Sequence, residues 1–352
     1  MTCLKDYVAF ENKFILRDLQ EIIEDKKIPW EELKGKNILV TGATGLLGSL
    51  IAKSILLKDC GAKVGVLVRN TDKLKNIFGP ATDMLLIENG DLLSDTINLK
   101  HDYQYILHTA CPTASKSFVD NPVEVIEAIV NGTTRLLKLS QKKVIKNFLF
   151  LSSMEVYGRT HNVIKQENDD GVLDHLSVRN CYPVAKRMAE NLCRSFYHEY
   201  GISTKIVRLT QTFGPGVSKD DGRVFAQFAR SIINNEDIIL CSKGLTERDY
   251  LYTSDAVRKI LSVMLMGKDG EVYNISNPET FCSIYEMAQL CCKIANDKIK
   301  IKFNFDENEI RKYLGEIHIQ LDNSKVNELN NFPMKSLNHM LTNLASYMRE
   351  LK

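Results

Sequence analysis

Tyr182 and Lys186 stand four positions apart in the segment YPVAK, a spacing that places both side chains on one face of a helix. An ammonium group close to a phenol favours the phenolate, so Tyr182 could accept a proton from a substrate hydroxyl. Tyrosine and lysine also occur at this spacing by chance on ordinary helix surfaces. The pair therefore indicates proton-transfer chemistry only if other reactive side chains accompany it.

Two such side chains lie in the segment LSSMEVYG (151–158), which closes a predicted strand. The alternation of a strand would place Ser153 and Glu155 on the same face. Ser153 could hydrogen-bond the reacting hydroxyl, and Glu155 would offer a second acid or base. The alternatives are a strand-end serine that satisfies the backbone and a solvated carboxylate near a loop. The order of glycine-rich turn, serine and YxxxK favours the functional interpretation.

The glycine-rich turn is TGATGLLGS, spaced as GxxGxxG between a predicted strand and a predicted helix. Glycine lets the backbone approach a pyrophosphate closely, with the phosphate charge at the helix N-terminus. Such a turn can also serve plain packing of a strand against a helix, but this one heads an alternating strand-helix pattern. The predicted cofactor contacts of the turn are Gly42, Thr44, Gly45, Leu46, Leu47 and Gly48.

Residues after later strands complete the predicted cofactor site. Arg69 follows the second strand, where an NAD site usually carries an acidic residue; it could face a ribose 2′-phosphate or stack on adenine. Asp91 and Leu92 in GDLL are expected at the adenine edge. Thr109 and Ala110 in HTAC are expected beside the pyrophosphate and ribose. We expect tightly bound NAD or NADP, with Arg69 favouring NADP, and an oxidised nicotinamide would add to the lysine's effect on the tyrosine.

The elements that must position these residues alternate from Lys36 onward. Short apolar runs separated by helical stretches are NILV (37–40), VGVLV (64–68), MLLI (84–87), YILH (105–108), FLFLSS (148–153) and KIVRL (205–209). This spacing predicts right-handed strand-helix-strand units. The expected fold class is α/β, with a Rossmann-type, doubly wound parallel sheet.

The chain divides into three predicted regions. Residues 1–35 form a helical extension on the body or on a neighbouring subunit, with helical spacing of Phe10, Phe14, Ile15, Leu19, Ile22 and Ile23. Residues 36–212 form the dinucleotide-binding domain. Residues 213–352 form a smaller C-terminal α/β domain, mainly for the substrate, whose short strand candidates include EVYNIS (271–276) and KIKIKFNF (298–305).

The composition argues against several classes of protein. Lys plus Arg number 46 and Asp plus Glu 44, a formal charge of +2 without long basic blocks, so we expect no nucleic-acid or anionic-membrane partner. The nine cysteines are scattered without paired CxxC modules, which favours free thiols in a reducing compartment over disulfides or a metal site. No apolar run is long enough for a signal peptide or a bilayer span, so we expect a cytoplasmic protein.

The motifs TGATGLLG, SSMEVYG, YPVAK and RLTQTFGP, in that order, resemble the extended short-chain dehydrogenase/reductase family from residue 36 onward. That family contains nucleotide-sugar epimerases, 4,6-dehydratases and decarboxylases. Within it, RNCYPVAKRMAENLC (179–193), DDGRVFAQF (220–228) and ERDYLYTSDAV (247–257) are most similar to the UDP-glucuronate decarboxylases. The resemblance implies a nucleotide-diphosphate sugar as substrate.

The resemblance also implies roles for single residues. Ser153, Tyr182 and Lys186 would be the hydride-transfer set, and Glu155 the additional acid or base. Arg223 and Arg248 would contact the diphosphate or the sugar through the planar guanidinium, although each could be an ordinary ion-pair former.

Three positions depart from the family pattern or its register. Gln211 stands where the family often has asparagine, in a position expected to contact substrate. Ile129 replaces the asparagine of the NxxGT motif, and Asn131 is shifted next to the glycine. These departures affect substrate placement and leave the redox centre intact.

All the candidate reactions begin by oxidising the sugar to a keto intermediate. A 4,6-dehydratase uses an adjacent Asp-Glu pair, and the first of these positions is Met154 here. A decarboxylase needs less, because a 4-ketone is β to the C6 carboxylate and the site has only to stabilise an enolate. A 4-epimerase needs room for the keto sugar to rotate and usually lacks a carboxylate at position 155.

We therefore predict a decarboxylase-like reaction first, then a 4-epimerase, then a 4,6-dehydratase or keto-sugar reductase. A non-catalytic sugar-nucleotide sensor is the alternative from a different class. It would have no need to retain the serine, tyrosine and lysine. Helices over roughly residues 122–142 and 182–200 correspond to the pair that family members use for a four-helix contact, which predicts a homodimer.

Overall fold

The computed structural model describes residues 11–79, 83–94, 97–113, 115–143, 145–159, 162–305 and 316–351. Its strands are β1 (Asn37–Thr41), β2 (Lys63–Val68), β3 (Leu85–Asn89), β4 (Tyr105–His108), β5 (Asn147–Ser153), β6 (Ile164–Lys165), β7 (Thr204–Leu209), β8 (Gln211–Phe213), β9 (Ile238–Leu240), β10 (Glu247–Arg248), β11 (Tyr250–Tyr252), β12 (Val272–Ile275), β13 (Cys282–Ser283), β14 (Ile301–Phe303) and β15 (His318–Leu321). Its helices are α1 (Lys13–Glu24), α2 (Leu46–Lys58), α3 (Asp72–Phe78), α4 (Ser117–Asp120), α5 (Pro122–Lys142), α6 (Cys181–Tyr200), α7 (Val224–Asn234), α8 (Thr253–Met266), α9 (Ile284–Ile294), α10 (Ser324–Leu329) and α11 (Leu337–Glu350).

Seven of the described strands form one parallel sheet in the order β3-β2-β1-β4-β5-β7-β12. Strands covered by helices on both faces are near-continuous runs of Val, Ile and Leu, which is why the apolar runs were informative. The strand order reverses between β1 and β4, where Thr41 pairs with His108. In open α/β sheets, ligands bind in the crevice beyond the carboxyl ends of such strands. The predicted α/β fold with a doubly wound parallel sheet is confirmed.

The sequence predicts six strands of this sheet, and the structure contains all six. The run YILH coincides with β4, whereas β3 extends two residues beyond the run MLLI. The cause is strand pairing, because Asn89 is in register with Val68 and the ladder continues past the apolar residues. Apolar runs therefore locate the strands, and pairing sets where they end.

The other described strands form smaller sheets in the orders β13-β10-β15-β6, β11-β8 and β14-β9. Helices α7, α9 and α11 pack beside them around a core that contains Phe213, Phe225 and Leu344. The segment EVYNIS was expected among the short strands of the C-terminal domain. Strand β12, which lies within it, instead pairs with β7 and extends the large sheet. Of KIKIKFNF, only Ile301–Phe303 is paired, with β9. The domain boundary at residue 212 stays a prediction.

Helix α1 forms in the N-terminal region where a helix is predicted. The side chain of Asn12 caps it by accepting the Phe14 N–H at 2.9 Å. Leu19 and Ile22 are buried in the core that α1 shares with α2 and α8. The helix therefore covers the body of the protein, and the predicted helix residue Phe10 lies outside the described residues.

The eight cysteines among the described residues are free thiols. No described helix is both long and apolar enough to cross a bilayer. A cluster of three or more His, Cys, Asp or Glu side chains that could hold a metal ion is likewise absent from the described part of the chain.

Candidate active site

The glycine-rich turn lies between β1 and α2, at the crevice where the strand order reverses. Gly42 has a φ of +70°, and a Cβ there would stand 2.7 Å from the Ala110 backbone nitrogen. A Cβ on Gly48 would stand 2.3 Å from the Gly42 carbonyl oxygen and 2.8 Å from Thr109 Oγ1. Only glycine allows these approaches. The turn and the predicted Thr109–Ala110 pair are thus brought together.

The start of α2 is suited to a pyrophosphate. Gly45 is the N-cap residue and offers no side-chain hydrogen bond, and the first helical turn contains no acidic residue. A Cβ on Gly45 would meet only the Gly42 carbonyl oxygen, at 3.3 Å, so the space in front of the turn is open. Thr44 is exposed, while Leu46 and Leu47 are half-buried. Helix N–H groups and the helix dipole would hold an anion at this place. The residues present fit a dinucleotide.

The residues expected near adenine and its ribose follow β2 and β3. Arg69 is exposed directly after β2. The Gly90 N–H donates to the Val68 carbonyl oxygen at 3.0 Å, which brings the start of the GDLL segment beside the end of β2. Asp91 accepts the N–H of Leu93 at 2.9 Å, and the Leu92 carbonyl oxygen accepts from Arg135 at 2.6 Å. The contacts assigned to Arg69, Asp91 and Leu92 stay predictions.

Ser153 and Glu155 do come together, but not by the strand alternation that the sequence suggests. Strand β5 ends at Ser153, and residues Met154–Tyr157 form a 3₁₀ helix. Ser153 caps this helix, because its Oγ accepts the Glu155 N–H at 3.2 Å. This difference affects the geometry, because the capping hydrogen bond of Ser153, and not the alternation of side chains along a strand, sets the position of Glu155.

Tyr182 and Lys186 lie in the first turns of α6. Lys186 Nζ donates to the Leu151 carbonyl oxygen at 2.6 Å and lies 5.7 Å from the centroid of the Tyr182 ring. The Tyr182 ring stacks on Phe118, with centroids 4.5 Å apart. The Ser153 side chain acts on the Tyr182 hydroxyl and lowers its pKa. The structure therefore joins the YxxxK pair to the end of β5.

The pKa of Tyr182 differs from the sequence-based expectation of a lowered value. Burial raises this pKa well above its usual range, and Cys111 and Glu155 raise it further, whereas Ser153 and Arg179 lower it. The chain's own residues thus favour the neutral phenol. Forming the phenolate requires additional positive charge, which an oxidised nicotinamide supplies when bound.

Glu155 lies in the same cleft, with 33% of its side chain accessible. Burial raises the pKa of this carboxyl above its usual value, while the charges of Arg179 and Arg248 lower it. Arg179 Nη1 stands 3.7 Å from Glu155 Oε2, an ion pair longer than a hydrogen bond. A carboxyl group whose pKa is raised can act as an acid as well as a base.

Arg248 is positioned by its neighbour in sequence. Asp249 is fully buried, where it accepts the Thr210 hydroxyl hydrogen at 2.5 Å and the Leu321 N–H at 3.0 Å. These bonds anchor the segment that carries Arg248 to β15 and to the end of β7. The Nε atom of Arg248 is buried without a hydrogen-bond partner among the described residues, so its N–H can donate to an acceptor on a ligand.

Met154 cannot act as the second acid that a 4,6-dehydratase carries beside the glutamate. Its side chain is 6% exposed in a small core with Val156, Tyr157, Ile319 and Leu321, and its sulfur lies 3.4 Å from the Thr210 hydroxyl oxygen. A thioether there cannot donate a proton.

Gln211 and Arg223 are less closely tied to this cleft. Gln211 is half-buried at the start of β8. Arg223 is paired with Asp221, whose carboxylate accepts from Nη2 at 2.6 Å and from Nε at 3.0 Å. The guanidinium also lies 4.8 Å from the Phe225 ring centroid. The ion-pair alternative for Arg223 is therefore realised in the structure, and its predicted substrate contact would have to share the guanidinium with Asp221.

Sequence reasoning missed two members of the site. Phe118 is 1% exposed and stacks on Tyr182, and no motif signals it. Arg179 lies in RNCYPVAK, so its position three residues before the tyrosine was a usable signal.

The chain is similar to known proteins over more than half of its length. The model of the NAD dependent epimerase/dehydratase family matches residues 38–276. UDP-glucuronic acid decarboxylase 5 of Arabidopsis thaliana is 30% identical over 268 residues, which cover 75% of this chain and 76% of that protein. UDP-glucuronic acid decarboxylase 1 of Danio rerio is 28% identical over 297 residues, 82% of this chain and 68% of that protein.

Solved structures share the fold. UDP-glucose 4-epimerase of Thermotoga maritima, determined with UDP-glucose, has a TM-score of 0.75 at 24% identity and covers 89% of this chain and 99% of its own. UDP-glucuronic acid 4-epimerase of Bacillus cereus, in complex with UDP-glucuronic acid and NAD, has a TM-score of 0.75 at 23% identity, with 90% and 100% covered.

The fold, the site and the curated relatives together define an enzyme that modifies nucleotide sugars. The chain belongs to the NAD dependent epimerase/dehydratase family, as the resemblance of its motifs predicts.

Proposed function

We propose that this enzyme decarboxylates a uronic acid linked to a nucleoside diphosphate, of the UDP-glucuronate type. The observation that carries the proposal is Glu155, a carboxylate on which Arg179 and Arg248 both act and which has Met154 beside it in place of a second acid. The identity to UDP-glucuronic acid decarboxylases supports the same choice.

The first step is oxidation of the sugar at C4. Tyr182 takes the proton of the 4-hydroxyl while Ser153 holds that hydroxyl in place, and Lys186 adds positive charge beside the phenol. NAD or NADP, when bound at the glycine-rich turn, supplies a hydride acceptor and then a hydride donor. Each of these side chains also serves the reverse step, in which the 4-ketone is reduced again.

The second step breaks the C5–C6 bond. The electron pair of this bond passes towards the 4-ketone as carbon dioxide leaves, and an enolate forms. Arg248, whose Nε lacks a hydrogen-bond partner in the described part of the chain, is placed to stabilise the negative charge. Glu155 then delivers a proton to C5, a role suited to a carboxyl group whose pKa is raised by burial.

Two other reactions are less well matched. A 4,6-dehydratase needs a second acid beside Glu155, and the Met154 thioether packs into a core instead. A 4-epimerase needs no carboxylate at position 155, so Glu155 would have no evident purpose in that reaction. Decarboxylation uses Glu155 as the acid that protonates C5.

The test is mass spectrometry of products after incubation with UDP-, GDP-, CDP- and dTDP-linked uronates and hexoses. We expect the mass of carbon dioxide to be lost from a uronate. Loss of water would indicate a dehydratase, and turnover without a mass change an epimerase.

We propose NADP as the preferred cofactor, because Arg69 is exposed at the end of β2, where an NAD site usually carries an acidic residue. We also propose that the other predicted cofactor contacts form, and that Gln211, Arg223 and Arg248 contact the substrate.

We further propose a homodimer through α5 and α6. Val123 and Ile126 on α5 are 65% and 43% exposed, and Met188 on α6 is 48% exposed. Apolar side chains at helical spacing on two adjacent helices suit a symmetric four-helix contact. Light scattering at micromolar concentration should give twice the 40.0 kDa chain mass, and a monomer would contradict the proposal.

A further inference from the structure

Arg179 is a cation in the cleft with unused hydrogen-bonding capacity. Its Nη1 atom is buried and has no hydrogen-bond partner among the residues described around it. The nearest acid, Glu155, is 3.7 Å away. A buried guanidinium N–H without an acceptor is costly, so the arrangement favours an external acceptor.

The guanidinium of Arg179 lies beside an aromatic ring. Its central carbon is 4.9 Å from the centroid of the Phe118 ring, which also stacks on the ring of Tyr182. Arg179 also affects both acid/base groups, because its charge lowers the pKa of Glu155 and that of Tyr182. It therefore stands at the reacting end of the substrate, next to the groups that must reach C4 and C5.

Within the described part of this cleft, two guanidinium groups act on the same carboxylate. Arg179 and Arg248 both act on the single carboxylate of Glu155. Asp249, beside Arg248 in sequence, has its carboxylate hydrogen-bonded to Thr210 and Leu321. One further anion would complete the pairing, and a planar fork of N–H donors suits a carboxylate.

We propose that Arg179 binds the carboxylate of a sugar-nucleotide uronate and makes the site selective for uronates over neutral hexoses. The inference rests on the proposed decarboxylation. It makes Arg179 a specificity-determining residue that contacts the carboxylate at C6 and does not contact the diphosphate. The same contact holds the leaving carboxylate still until the 4-ketone has formed.

Binding in a non-reacting background tests this role. Every variant is made in the full chain carrying Tyr182→Phe, and calorimetry is done with NAD or NADP present, using UDP-glucuronate, UDP-glucose and UDP as ligands. Arg179→Gln should weaken UDP-glucuronate binding roughly 10- to 100-fold, the size expected for a charged hydrogen-bonded contact. UDP-glucose and UDP should change by no more than about 3-fold, because they lack the carboxylate.

Two variants control for charge and folding. Lys116→Gln removes an exposed positive charge two residues from Phe118 and should leave all three affinities unchanged. Arg179→Lys keeps the charge but loses the fork, so it should weaken the uronate by an intermediate factor. If Arg179→Gln melts below the assay temperature, Arg179→Lys carries the test.

The outcomes separate this inference from the proposed function. Equal weakening of all three ligands would place Arg179 at the diphosphate and overturn the inference. An unchanged uronate affinity in the Arg179 variants, with decarboxylation intact in the otherwise unmodified enzyme, would overturn it while leaving the function standing. A parent protein that binds UDP-glucose as tightly as UDP-glucuronate would overturn the inference, whereas only a uronate that is consumed without losing carbon dioxide would overturn the proposed function.

Discussion

Glu155→Gln should uncouple oxidation of the sugar from the steps that follow. The amide keeps the size and polarity of the side chain but cannot exchange a proton at neutral pH. Ser153, Tyr182 and Lys186 are untouched, so the first hydride transfer should stay within a few-fold of its normal rate. The later proton transfer to C5 should slow by ~10²–10⁴, which corresponds to about 3–5 kcal/mol in the barrier.

The same substitution should not harm the fold. Burial raises the pKa of Glu155 in the folded protein above that of the unfolded chain. This group therefore supports folding fully at low pH, and the support is lost as the pH rises through the folded-state pKa. A neutral glutamine avoids this loss, so the melting temperature of Glu155→Gln near neutral pH should equal or exceed that of the parent.

Single-turnover absorbance measures the effect. Reduced nicotinamide should accumulate in Glu155→Gln after mixing with UDP-glucuronate and should persist, whereas the parent should show only a transient. Glu155→Asp, which keeps a carboxyl group on a shorter side chain, should recover part of the later rate. A Glu155→Gln enzyme that turns over fully would refute the reasoning and would favour the epimerase.

Three further changes test other parts of the account. Tyr182→Phe keeps the stack on Phe118 but removes the transferable proton, so turnover should fall by at least ~10²-fold with cofactor binding intact; activity within a few-fold of the parent would refute the role. Arg69→Ala should narrow the gap between NADP and NAD in calorimetry, and a parent that prefers NAD would contradict the proposed preference. Burial raises the pKa of Asp18 from 3.8 to about 7, so its contribution to folding is full below the lower value and is lost as the pH rises through the higher one. Asp18→Asn should therefore raise the melting temperature more at a pH above this range than below it, and equal shifts at both would count against the assignment.

The parts of the protein set by local pattern could be predicted from sequence. The glycine-rich turn was predictable because Gly42 and Gly48 occupy positions where any Cβ would meet backbone. The strands were predictable because both faces of a parallel sheet are buried and its strands are nearly continuous apolar runs. Strand β12 was misplaced because pairing with β7, rather than its own sequence, assigns it to the large sheet.

The sequence motifs indicate Ser153 and Tyr182 as members of one site, but they do not indicate its electrostatics. Ser153 and Tyr182 follow from the motifs, yet the raised pKa of Tyr182 depends on burial and on Cys111, which lies on another segment. The role of Arg179 depends on Phe118, from a helix more than 60 positions earlier in the chain. Such contacts arise from packing between elements, so spacing within one motif does not reveal them.

The most direct test of the central claim follows the fate of C6. UDP-glucuronate labelled with carbon-13 at C6 is incubated with the enzyme and both NAD and NADP, and the reaction is observed by nuclear magnetic resonance, with Tyr182→Phe as the inactive control. The account predicts that the label appears as carbon dioxide and bicarbonate while an unlabelled UDP-pentose accumulates. A label that stays in the sugar nucleotide while the substrate is consumed would contradict decarboxylation.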